Sequence, residues 1–227
     1  MQYKIIGGNF PAVSLLLKAG EEISCQSGAM TRMDPGIKMQ TSTGGLGKAL
    51  GRMFTGESLF LNKYVAEQDG ELALGTTFPG EIRALEITPG RSIIAQKTSY
   101  LASTPGVDVS VHFQKKLGSG FFGGEGFIMQ QFSGEGLVFI EIGGGAYEIE
   151  LAAGQQKIID TGYLVMMEDT CSMDVVTVSG VKNVLFGGEG LFNTVVTGPG
   201  KIVVQTMPEI GLIAKIADAV KKMMPKS

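Results

Sequence analysis

Cysteine, histidine and tryptophan are scarce or absent in this chain of 227 residues. It has two cysteines, Cys25 and Cys171, a single histidine, His112, and no tryptophan. Two cysteines cannot build a disulfide framework or a four-cysteine zinc site. Catalysis by a histidine requires a nucleophile and an orienting partner, and the sequence identifies neither for His112. We therefore assign no catalytic residue, and we expect no cofactor.

Basic residues are not in excess, with 19 Lys and Arg against 22 Asp and Glu and a net charge of −3. Proteins that bind nucleic acid through its phosphates need a concentrated excess of Lys and Arg, so we do not expect nucleic-acid binding. No apolar run reaches the roughly 18 residues of a membrane-spanning helix, and the N-terminus does not resemble a signal peptide. The expectation is a soluble, cytoplasmic protein.

Glycine, in contrast, is abundant: the 34 glycines predict many turns and therefore many short strands. Gly-Glu pairs begin at Gly56, Gly124 and Gly188, at spacings of 68 and 64 residues. Each leads into an apolar strand, a turn with glycine and a second strand, which is typical of a hairpin. A phosphate-binding loop would open a helix instead, so we interpret these glycines as turn residues.

A second series of turns contains Gly20, Gly90 and Gly154, at spacings of 70 and 64 residues. The two series alternate in the same order, which predicts three copies of one β unit of roughly 65 residues. Apolar residues coincide in three columns around these turns, namely Leu15, Leu85 and Ile149; Leu17, Ile87 and Leu151; and Met30, Tyr100 and Leu164. The predicted fold is all-β: three tandem repeats, each a small β-sandwich or double-stranded β-helix-like unit, arranged pseudo-threefold.

The predicted repeats span residues 1–78, with a glycine-rich insertion at 41–54, then 79–142 and 143–207. A short amphipathic helix follows within 208–227. Its apolar stripe consists of Leu212, Ile213, Ile216, Val220, Met223 and Met224. This stripe packs on the β body, on a neighbouring subunit or on a membrane surface, and packing on protein is the commoner outcome.

Three glutamates, Glu57, Glu125 and Glu189, occupy equivalent places in the repeats. Near a threefold axis they could hold calcium or magnesium, or each could accept hydrogen bonds from turn amides. We favour the second reading, because a metal site needs further oxygen ligands that the sequence does not display. No metal site is assigned.

The remaining candidate residues have structural explanations. Cys25 aligns with Ala95 and Ile159, an apolar column, and we expect it to be buried. Acidic neighbours of Cys171 disfavour its thiolate. His112 lies on the polar face of its strand, where a histidine is usually solvated.

Three segments carry a family resemblance: "GGEGFIMQQFSGEGLVFIEIGGG", "DTGYLVMMEDT" and "FGGEGLFNTVVTGPGKIVVQT". They resemble the bacterial and archaeal branch of the altered-inheritance-of-mitochondria family, and the likeness extends from about residue 3 to 207. Members of that family are similar in fold to the tryptophan RNA-binding attenuation protein, whose β units assemble into rings. The resemblance implies a homotrimer with nine units. It implies no catalytic residues, and RNA binding is not inherited from a fold alone.

Two hypotheses on function follow. The first is a non-enzymatic oligomeric scaffold or binding module whose ligand is a protein partner, a small molecule or a membrane surface. The alternative is a metal-dependent or hydrolytic enzyme with its site between repeats. The lack of a His, Cys and Asp cluster in the sequence favours the first hypothesis.

Overall fold

The computed structural model describes residues 1–41, 61–116, 126–177 and 192–223. Most of this part of the chain is β-strand, as the sequence predicts. The strands are β1 (Gln2–Ile6), β2 (Ala12–Leu17), β3 (Glu22–Gln26), β4 (Met30–Met33), β5 (Ile37–Thr41), β6 (Leu61–Ala66), β7 (Gly70–Gly75), β8 (Gly80–Ile87), β9 (Ile93–Gln96), β10 (Tyr100–Ser103), β11 (Val107–Lys115), β12 (Phe127–Gly134), β13 (Gly136–Gly143), β14 (Ala146–Leu151), β15 (Gln156–Asp160), β16 (Leu164–Glu168), β17 (Ser172–Thr177), β18 (Phe192–Thr197) and β19 (Gly200–Gln205).

Alternation of apolar residues explains the strands. In β2, Val13, Leu15 and Leu17 are buried, while Leu16 between them is exposed. Successive side chains of a strand point to opposite faces, so this pattern places one face in the core and the other in solvent.

The strands form four antiparallel sheets. Two have six strands, in the orders β5-β6-β3-β10-β13-β8 and β11-β12-β9-β16-β19-β14. The first sheet has four strands, β1-β2-β7-β4, and the last has three, β15-β18-β17. The two six-stranded orders are the same when each strand number of the first is raised by six.

The predicted hairpins are wrong. The consecutive strands β6 and β7 lie in different sheets, and so do β12 and β13, and β18 and β19. Only Glu135 separates β12 from β13, whereas a hairpin needs a loop of about two residues or more to reverse the chain. At each of these three places the chain therefore passes from one sheet into another instead of folding back into a hairpin.

Buried side chains form three apolar clusters, and neighbouring segments share them. The first cluster is built mainly from β2 to β7, but Leu101, Ala102 and Phe139 from β10 and β13 complete it. The second similarly takes Val165, Met166 and Val203 from later strands. Strands from distant parts of the chain therefore contribute to the same apolar clusters.

The predicted C-terminal helix is confirmed as α1 (Glu209–Met223). It starts against the 3-10 turn Thr161–Tyr163, where a Cβ added to Gly162 would lie 3.4 Å from Ile210 and 3.5 Å from Pro208. The start of the helix therefore lies close to this turn.

Candidate functional site

Among the described strands, none pairs with the outer side of β4, and we call this side the β4 edge. This strand pairs with β7 and is the last strand of its sheet. The strands in the corresponding place of the two six-stranded sheets, β10 and β16, are paired on both sides. The three strands also share a register irregularity against one partner each, namely β7, β13 and β19. It occurs at Met30/Arg32, Tyr100/Ala102 and Leu164/Met166.

Burial separates β4 from these two counterparts. All four residues of β4 are exposed, including Met30 and Met33, which is 40% exposed. Every residue of β10 is buried, and Met167 of β16 is 0% exposed. The β4 edge therefore presents apolar side chains that its counterparts keep in the core.

The strand β15 likewise has one side on which no strand of the described ranges pairs, and we call it the β15 edge. This strand pairs with β18, whereas its counterparts β3 and β9 pair on both sides. Ile158 of β15 is 69% exposed, while Ile94 in the corresponding place of β9 is 1% exposed. Tyr163, just after β15, is also exposed. An exposed apolar edge strand is a template for pairing with another chain.

The apolar stripe of α1 is the second exposed apolar feature. The side chains of Ile213, Ile216, Val220 and Met223 are all exposed. Packing on the β body is thus limited to the start of the helix, and the later turns leave their stripe open to another surface. Among the described helices, none is long and apolar enough to cross a membrane.

The turn glycines divide into two groups. Gly20, Gly90 and Gly154 have φ values of +87°, +82° and +74°, in the left-handed region that favours glycine. The other three predicted turn residues and the three candidate metal ligands lie outside the described residues, namely Gly56, Gly124, Gly188, Glu57, Glu125 and Glu189. Within the described ranges, no three His, Cys, Asp or Glu residues are grouped as a metal site requires.

Both cysteines are buried, which confirms the prediction for Cys25. Burial raises the pKa of the Cys25 thiol to about 12. The pKa of Cys171 is also raised, first by burial and then by the charges of Glu168 and Glu150. A thiol with a raised pKa is a poor nucleophile at neutral pH. His112 is exposed on β11, at the register irregularity between Val111 and Phe113.

Comparison with known proteins identifies the family. The family described as "Mitochondrial biogenesis AIM24" matches residues 3–207. The chain belongs to this family. The AIM24 match contains the whole of β2 to β19 and ends before α1 begins at Glu209.

Two of the similar proteins come from Streptococcus pyogenes. An uncharacterized protein of Streptococcus pyogenes serotype M6 is 28% identical over 228 residues, which cover 96% of this chain and 88% of that protein. A crystal structure of another Streptococcus pyogenes protein has a TM-score of 0.80 and 25% identity, and the match covers 98% of this chain and 99% of that one. The AIM24 fold thus accounts for nearly the whole chain.

Sequence reasoning did not identify β4 and β15 as strands with an exposed side. The column of Met30, Tyr100 and Leu164 contains one signal, because methionine is the most flexible of these three side chains. Methionine tolerates both exposed and buried sites, so that signal alone could not decide the outcome.

Proposed function

We propose that this member of the AIM24 family is a non-enzymatic scaffold in which three chains close into a ring through the β4 and β15 edges. Each chain contributes three β units, residues 1–78, 79–142 and 143–207, related by an approximate rotation. The free edges of the first and last sheets carry this proposal, because each is half of an arrangement that the chain completes twice internally.

The pairing order supports the three-unit arrangement. Adding six to the strand numbers β2-β7-β4 gives β8-β13-β10, and adding six again gives β14-β19-β16. In the six-stranded sheets the second strand of one unit, β3 or β9, pairs with the third strand of the next, β10 or β16. The same rule, continued from one chain to another, pairs β15 with β4.

Register makes this continuation specific. The pair Met167↔Ile94 in the third sheet corresponds to Met33 opposite Ile158, two exposed apolar side chains. The pair Glu168↔Ile93 corresponds to Asp34 opposite Lys157, which have opposite charges. Cross-strand apolar and opposite-charge pairs both stabilise antiparallel sheets.

The contact is head-to-tail, so it forms either a closed ring or an open filament. A closed ring leaves neither edge unpaired, which removes the tendency of exposed edges to aggregate. Three chains, with nine units, is the number that the family resemblance implies. The expected mass is therefore three times the 24.0 kDa of one chain.

The exposed stripe of α1 supports the binding part of the proposal. A scaffold needs a surface for its partner, and the later turns of this helix expose Ile216, Val220 and Met223. Amphipathic helices of this type dock in a groove of a partner protein or lie on a membrane surface. Co-sedimentation with vesicles of neutral and anionic lipids separates these two cases.

Sedimentation equilibrium of the full chain at micromolar concentration tests the ring. We expect a trimer for the natural sequence and a monomer for Ile158→Glu, because the new carboxylate would be buried without a partner in the β4–β15 contact. Tyr147→Glu is the control, since Tyr147 is similarly exposed but lies on β14, the outer strand of a complete six-stranded sheet.

A disulfide trap tests the register. In the double variant Met33→Cys and Ile158→Cys, we expect covalent dimers and trimers under oxidising conditions, and only monomers for each single variant. The native Cys25 and Cys171 are buried and should not interfere. A natural chain that sediments as a monomer, or a double variant that never cross-links, contradicts the proposal.

A further inference from the structure

A cavity of about 460 Å³ lies beneath the start of α1. Its walls come from the end of β13, the 3-10 turn Lys97–Ser99, the segment before β8 and the first turns of the helix. Apolar side chains dominate the walls, among them Phe78, Ile142, Ile210 and Ile213. The cavity is large enough for a small organic molecule and lies within the size range of ligand pockets.

The charged groups of the wall are carboxylates. Glu141 at the end of β13 and Glu209 at the start of α1 both line the cavity, and no Lys, Arg or His is among its described lining residues. Glu141 is fixed in place: its Oε1 accepts from Gln26 Nε2 at 2.5 Å and its Oε2 accepts from the Thr77 backbone amide at 3.1 Å. The site therefore holds an oriented carboxylate against an apolar wall.

Neither carboxylate has a salt-bridge partner in the described part of the chain, unlike Glu71 or Glu148 at the surface. Burial raises the pKa of Glu141, and the charge of Glu209 raises it further, against the hydrogen bonds that lower it. Burial likewise raises the pKa of Glu209. A cation in the cavity would offset the desolvation of both groups.

We propose that this cavity binds a small amphipathic cation, a molecule with one protonated amine on an apolar body. The amine lies between Glu141 and Glu209, and the apolar body contacts Phe78, Ile142 and Ile210. An anion of the same shape is repelled by the two carboxylates, and a neutral molecule leaves them unpaired. The inference does not depend on ring formation, because every lining residue belongs to one chain.

Three linear probes with six carbons each separate charge from shape: hexylamine, hexanol and hexanoate. Titration calorimetry at pH 7 with the full chain should give saturable binding of hexylamine. Hexanol should bind about tenfold more weakly, and hexanoate should not bind, because an alcohol lacks the ion pair and a carboxylate opposes it.

Two variants locate the site. Glu209→Gln should weaken hexylamine binding about fivefold, because it removes one partly exposed ion pair, and should leave hexanol binding unchanged. Glu141→Gln should weaken hexylamine binding by at least as much. This substitution also removes a hydrogen bond from Gln26 or Thr77 and so lowers the stability of the protein. If the Glu141→Gln variant fails to fold, Glu209→Gln still tests the proposal. Glu86→Gln is the control, since Glu86 is exposed on β8 outside the cavity.

Absence of saturable hexylamine binding overturns the proposal. Equal affinities for the three probes, or equal binding by the natural chain and Glu209→Gln, overturn it as well. Selective binding of hexylamine that Glu209→Gln weakens and Glu86→Gln does not affect supports it, whether the chain sediments as a monomer or a trimer.

Discussion

Met33 and Met167 are the same residue type at corresponding places of β4 and β16, yet one is 40% exposed and the other is 0% exposed. The strands also share a register irregularity against β7 and β19. What differs is the other side: β16 lies next to β9, and β4 lies next to no described strand. Burial of a strand residue here is set by its neighbouring strand rather than by its own sequence.

The same comparison applies at the opposite end of the chain. Ile94 and Ile158 are both isoleucines, but β9 lies next to β16, whereas no described strand lies on that side of β15. The first sheet thus ends in β4 without a counterpart of β3 or β9 beside it. The last sheet ends in β15 without a described counterpart of β10 or β16 beside it. This complementarity is why we connect the two ends between chains.

The largest expected effect is a difference in the free energy of unfolding between substitutions at Met167 and at Met33. Both are made in a chain kept monomeric by Ile158→Glu. Met167→Glu should lower the free energy of unfolding by about 3–5 kcal/mol, because it buries an unpaired carboxylate and removes core packing. Met33→Glu should change it by less than about 0.5 kcal/mol, as is usual for exposed positions. Urea unfolding followed by circular dichroism measures both; similar losses would show that β4 is not a free edge in the single chain.

A smaller effect tests a feature that the central and terminal segments share. Gly20→Ala, Gly90→Ala and Gly154→Ala should each lower the free energy of unfolding by about 1 kcal/mol, since an L-residue is strained at positive φ. No heavy atom lies within 4 Å of an added Cβ at any of the three, so strain is the sole expected cost.

The control for these turns is Gly145→Ala. The φ of Gly145 is not in the positive range, and the nearest atom to its added Cβ is 3.8 Å away, an ordinary contact. We expect no loss of stability for this variant. Unequal effects among the three turn variants would mean that the turns differ in some way beyond their φ angles.

The smallest effect concerns the charge pair expected between chains. Lys157→Glu should weaken association by up to about fivefold, because it places a like charge opposite Asp34 at an exposed site. The effect should diminish as salt is added. Lys4→Glu makes the same charge change on β1, which lies at the opposite edge of the four-stranded sheet from β4. This control should leave the sedimentation profile unaltered.

Much of the local structure follows from the sequence. Alternating apolar residues predict strands such as β2, the spaced glycines predict turns at Gly20, Gly90 and Gly154, and the helical stripe predicts α1. The burial of Cys25 follows from an apolar column in the aligned repeats. The strands, turns and helix depend on neighbours close in sequence, so a short window contains the information that determines them, whereas the prediction for Cys25 required comparison between repeats.

Strand partners required the tertiary structure. The pattern of strand, glycine and strand fits a hairpin and a bend between sheets equally well, and the chain takes the bend at Glu135. The candidate site depends on such partners, because β4 and β15 become edges only through the absence of a described neighbour on one side. The cavity with Glu141 and Glu209 likewise brings together residues 68 positions apart in the chain. Alternation decides which face of a strand is apolar, whereas pairing between distant strands depends on packing of the whole core, which no local pattern encodes.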